Sequence, residues 1–90
     1  MHERYLEITY RRGRPVAAYL YLPRGPNEKS RRVVREGHGL IVDIAESDRP
    51  IGIEIVSPND VSLAMLNEIL GKYSLPPLEG GELAPLVAMA

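Results

Sequence analysis

Three sets of side chains in this 90-residue chain could do chemistry. The first is His38, held between Gly37 and Gly39, together with Asp43 and Glu54 in the two apolar runs that follow. A histidine can serve as a base or a ligand. Paired carboxylates can do acid–base work or hold a hard cation. Asp43, Glu54 and His38 are therefore the candidate set for a small ligand or a divalent cation. Against that use, no serine, cysteine or second histidine stands at motif spacing, and the other histidine is His2. Flanking glycines are what a turn needs where φ is positive. Apolar residues alternating with acids are also what a half-solvated strand looks like, and a flat sheet face offers no pocket.

The second set is basic. Arg11, Arg12 and Arg14 fall in one turn, and Arg31, Arg32 and Arg35 in a later short strand. Beside Tyr19 and Tyr21 they could hold single-stranded nucleic acid by charge and stacking. No recognition motif accompanies them, and the net charge is −1. The third set is Tyr19, Tyr21, Ile41 and Val56, which alternation places on one sheet face, with Leu83, Leu86 and Val87 in the tail. Amphipathic rings outside a core are enriched at protein interfaces. A glycine-rich phosphate loop, a nucleophile elbow and a zinc-binding helix motif are all missing from the sequence, so no cofactor is implied.

The elements that must position these residues follow from periodicity. Leu6, Ile8 and Tyr10 alternate with Tyr5, Glu7 and Thr9, as in a strand. A turn at Gly13 and Pro15 leads to a second strand, with Val16, Ala18, Leu20 and Leu22 on one face and Tyr19 and Tyr21 on the other. A polar loop precedes "RRVVRE", which reads as an edge or bent strand because charge discourages edge-to-edge pairing. "GLIVDIA" and "PIGIEIV" form an antiparallel pair. Pairing Ile44 with Ile51, Val42 with Ile53 and Leu40 with Ile55 puts every large apolar residue on one face and leaves a loop at Glu46 to Arg49. It also sets Glu54 opposite Ile41, with Asp43 as its diagonal neighbour.

After "SPND" the period becomes helical: Leu63, Leu66, Ile69, Leu70 and Tyr73 form one stripe. Ser62 is the expected N-cap, and Ser57 before Pro58 the alternative start. "SLPPL" reads as extended chain, and the tail as a short helical turn or two around Glu82 to Met89 that docks on a partner or frays. The expectation is one α+β domain over 1–90. Residues 1–56 form an antiparallel β-meander of four to five strands, with one face covered by a C-terminal helix, and residues 57–90 hold the helix, the proline-rich segment and the tail.

Composition narrows the function classes. There is no cysteine, which removes disulfide frameworks and cysteine-ligated zinc. No apolar stretch approaches the ~18 residues a membrane span needs, and the start lacks the long apolar run of a signal peptide; a cytoplasmic location is expected. Charge is split: up to Arg35 nine Lys/Arg stand against three Asp/Glu, and from Glu36 onward two stand against nine. Opposite charges meeting across a folded sheet account for this more simply than a nucleic-acid face does.

The run from Gly39 to Asp43, then Gly52, Ile53, Glu54 and Ile55, resembles the domain-of-unknown-function family numbered 2283, small prokaryotic and phage proteins. In that family a Gly-x-Ile-Val-Asp strand precedes Gly-Ile-Glu-Ile. The earlier Tyr10, Ala17 or Ala18, and Tyr19 are similar to its Tyr-x(n)-Ala-x-Tyr hairpin. The resemblance covers roughly residues 6–56. It departs at the first turn, where Arg11, Arg12 and Arg14 replace acidic residues, so roles tied to those acids do not transfer. The resemblance implies no established activity; some relatives look like small, antitoxin-like partners of a toxin-like neighbour. The expected function is a non-enzymatic protein–protein interaction module, as a homo-oligomer or the small partner of another protein. A ligand- or cation-binding protein is the alternative, and nucleic-acid binding a weaker one.

Overall fold

The computed structural model of the chain describes residues 4–79. Five strands, β1 (Tyr5–Arg11), β2 (Arg14–Tyr21), β3 (Ser30–Gly37), β4 (Leu40–Ala45) and β5 (Pro50–Ile55), form one antiparallel sheet. A 3₁₀ turn at Pro58–Asp60 leads to helix α1 (Leu63–Lys72). The α+β class and the sheet-then-helix order are as the periodicity predicts.

The strand order departs from one continuous meander. It is β1-β2-β5-β4-β3, so β5 and not β3 lies beside β2. The reason is polarity. Sequential order would place the arginine-bearing β3 in the middle of the sheet, where both its neighbours are buried. The apolar β5 takes that place, and β3 goes to the edge, where charge is solvated and blunts further pairing. The segment joining β2 to β3 crosses the end of the sheet and is tied to the β4–β5 loop. Arg49 donates to the Pro23 carbonyl (3.2 Å), and Ser47 Oγ donates to Glu28 (2.8 Å).

The predicted β4–β5 register holds for Leu40 opposite Ile55 and Val42 opposite Ile53, and Glu54 opposes Ile41. It breaks at its end: Ile44 opposes Pro50, not Ile51. One extra residue, Ile51, is accommodated between Asp43/Gly52 and Ile44/Pro50, a β-bulge. The loop still falls at Glu46 to Arg49, closed by Ala45 N–H donating to the Arg49 carbonyl (2.8 Å).

Register carried across all strands builds the core in rows. Leu6, Leu20, Ile53, Val42 and Val34 form one row, and Ile8, Ala18, Ile55 and Leu40 the next. Helix α1 covers these rows with Leu66, Ile69 and Leu70, flanked by Leu63, Met65 and Tyr73. Ser62 is the N-cap: its Oγ accepts from Met65 N–H (3.2 Å), and its own N–H donates to the Met65 sulfur (3.3 Å). Ser57 and Pro58 instead begin the 3₁₀ turn. Beyond the helix, Leu78 is buried and held by Asn67, whose amide accepts from Leu78 N–H (2.7 Å) and donates to its carbonyl (3.3 Å). Among the described residues no helix is long and apolar enough to cross a membrane.

Candidate functional site

The sheet face opposite α1 carries the polar and aromatic rows. One runs Glu7, Tyr19, Glu54, Ile41, Arg35; the next runs Tyr5, Tyr21, Gly52, Asp43, Val33. In the second row Gly52 leaves a gap. The ring of Tyr19 leans diagonally from its own row into that gap, so close that a Cβ on Gly52 would lie 1.9 Å from the Tyr19 hydroxyl oxygen. There the hydroxyl donates to Asp43 Oδ2 (2.6 Å), and Ser30 Oγ donates to Oδ1 (3.2 Å). Asp43 is thus a buried carboxylate, 8% exposed, held by two hydroxyls. Burial first, then the hydrogen bond to Asp43, pushes the Tyr19 phenol well above its usual range.

Tyr21 continues the set. Its ring stacks on Tyr5 (4.4 Å between centroids), meets Tyr19 edge-on (4.6 Å), and its hydroxyl donates to Glu7 (3.2 Å). The tyrosines expected to stand outward as contact residues are therefore knitted into the face itself. Because Tyr19 leans toward Gly52, a recess of about 330 Å³ opens on its other side. Thr9, Ala17, Val16 and Val56 line it together with the carboxylates of Glu7 and Glu54. The face is not flat, as the alternation alone suggests. Burial, then the charge of Asp43 and a hydrogen bond with it, raises the Glu54 carboxyl above the usual carboxylate range; Arg35 opposes the shift.

The expected ligand set is not brought together. His38 sits in the β3–β4 turn with positive φ (54°), followed by Gly39 (73°), and lines a groove with Met65, Glu68 and Lys72 of α1. It is on the helix side of the sheet, whereas Asp43 and Glu54 face the other way. Among the described residues no group of three metal-binding side chains forms. The six arginines are divided too. Arg11, Arg12 and Arg14 lie at the β1–β2 turn, while Arg31, Arg32 and Arg35 lie on β3, three to four strand spacings or about 14–19 Å away. Arg32 pairs with Asp48 (3.2 Å). Ile41 is half-buried, and Val56 is 53% exposed on the open face. Leu83, Leu86 and Val87 lie outside the described residues.

Sequence reasoning missed the Tyr19–Asp43 bond, Ser30 and the recess. One signal pointed to the first: a glycine inside a strand marks a close approach.

Residues 17–57, a little under half of the chain, match the family profile described as "Protein of unknown function (DUF2283)". The segment 17–57 is similar to DUF2283 sequences. Neither the curated proteins nor the solved structures give a match to this chain. The matched segment holds Tyr19, Asp43, Gly52 and Glu54, which meet on the open face.

Proposed function

We propose that this protein is a non-enzymatic interaction module whose open sheet face receives a protein partner. The observation that carries the reading is the exposure of Tyr5, Val16, Val33 and Val56 on a face already stiffened by the Tyr19–Asp43 bond and left uncovered by α1. Apolar side chains half exposed on one face, around a recess lined in part by Val16, Ala17 and Val56, support contact with another chain. The carboxylates of Glu7 and Glu54 at the recess favour a partner that presents basic side chains there. The ligand-binding alternative would rest on Asp43 and Glu54 without His38, which lies on the helix side of the sheet.

Val33→Glu and Val56→Glu test this without touching the core. Both variants keep the native melting curve and lose a co-purifying protein or an assembled mass that the parent retains. A parent that stays a monomer with no partner, indistinguishable from both variants, rules the reading out.

A further inference from the structure

Strand β1 is an edge of the sheet, and among the described residues it pairs only with β2. The two edges differ. The other, β3, carries Arg31, Arg32, Arg35 and Glu36 and has register breaks at both ends, devices that discourage pairing with another strand. β1 runs unbroken from Tyr5 to Arg11: the irregularity near Thr9 is an extra residue, Val16, on β2. Its charged residues are Glu7 and Arg11 alone. Among the described residues Tyr5 (47%) and Tyr10 (49%) are two of the exposed large apolar residues, and both stand on this strand.

We infer that β1 pairs antiparallel with β1 of a second copy, joining two sheets edge to edge. A two-fold axis perpendicular to the sheet keeps each face on its own side, so directly opposed residues differ by an even number of positions. Centring the axis on Thr9 sets Glu7 opposite Arg11 of the second copy, twice, and Ile8 opposite Tyr10, twice. Opposite charges and an aromatic–aliphatic contact then meet on their proper faces, each a favourable cross-strand pair. The exposed edge of Tyr10 is covered by Ile8 of the other copy. Both helices end on one side of a ten-stranded sheet, and both open faces on the other. This assembly is isologous and closes on itself, as a two-fold dimer must. It concerns the β1 edge rather than the open face, although Tyr5 and Glu7 border both surfaces.

The native particle should have twice the 10.0 kDa chain mass at micromolar concentration. Because the chain has no cysteine, single cysteines report cleanly. Thr9→Cys should give a disulfide- or bis-maleimide-linked dimer, and Val33→Cys, near the opposite edge, should not. Arg11→Glu sets four acids at the seam and should weaken dimerisation tenfold or more; Glu7→Arg combined with Arg11→Glu should restore it. A 10.0 kDa particle that gives no Thr9→Cys cross-link overturns the inference. So does a dimer cross-linked through Val33→Cys but not Thr9→Cys. A monomer whose outward β1 amides resist hydrogen exchange gives the edge to the chain's own residues 80–90, and also overturns it. A monomer that still loses its partner on Val56→Glu sinks the edge pairing and leaves the open-face reading standing; a cross-linked dimer with no Val56-dependent contact does the reverse.

Discussion

Tyr19, Gly52 and Asp43 act as one unit, and their energies should show it. Tyr19→Phe removes one of two hydroxyls from a buried carboxylate. A lost bond to a charged, buried acceptor costs about 2 kcal/mol, or about 10 °C in melting temperature for a domain this size. Gly52→Ala costs a similar amount, because the new methyl occupies the Tyr19 hydroxyl's place and pushes the ring away from Asp43. The double variant should cost clearly less than the two together, since both delete the same bond; thermal melts of the four proteins measure that coupling. Additive losses would mean the ring keeps Asp43 by another route. His38 gives the opposite sign. It holds a positive φ that strains most side chains, so His38→Asn should raise the melting temperature by a few degrees, where a ligand role predicts no gain. Some of this was legible in the residues. Alternation placed Asp43 and Glu54 on one face, and the two glycines marked the His38 turn. The Tyr19 bond was not legible, because it requires β2 to lie next to β5, a pairing that leaves no local trace except the glycine in β5.

At the scale of elements, local rules and long-range polarity divide the work. The stripe from Leu63 to Tyr73 and the cap at Ser62 are local, so the start of helix α1 and its buried face were readable. The edge character of β3 was readable from its arginines, yet its place beyond β4 depends on which strand the middle of the sheet accepts. Asn67 is a further element-level device that periodicity cannot reveal. It stands off the buried stripe of α1 and spends both ends of its amide on Leu78, a residue eleven positions on. That clasp lets the proline-rich segment leave the helix, turn back and bury Leu78. Asn67→Ala should speed hydrogen exchange at the Leu78 amide by an order of magnitude or more. The sheet amides should change little, because the segment opens as a local unit. The stability cost is about 1–2 kcal/mol. Leu78 exchange as slow as in the parent would show that burial of the leucine, not the amide clasp, holds the segment.

Over the whole molecule the basic first half and acidic second half do meet, through Arg32–Asp48 and, in the reverse sense, Glu28–Arg49 (3.5 Å). Asp43 and Glu54 stand apart from that neutralisation: hydroxyls, not a guanidinium, hold Asp43, and burial beside it raises Glu54. Two acids therefore pull the stability–pH curve in opposite directions. Glu28 is lowered, first by the Gly25 N–H (2.7 Å) and then by Ser47, so its contribution is present above the unfolded-state value and fades as pH falls. Glu54 is raised, so the folded chain favours its protonated form. Its contribution is present at acid pH and is lost as pH climbs through the raised value. Glu54→Gln keeps a neutral side chain at every pH. At pH 7 the variant should be more stable than the parent, seen as a higher melting temperature. That advantage should shrink to nothing below the ordinary glutamate range. Glu28→Gln should show the reverse, a deficit at pH 7 that closes in acid. Melting curves from pH 7 to pH 3 separate the cases. Parallel curves for Glu54→Gln and the parent would show that the open face carries both charges at no cost, and that its acids already find a cation there.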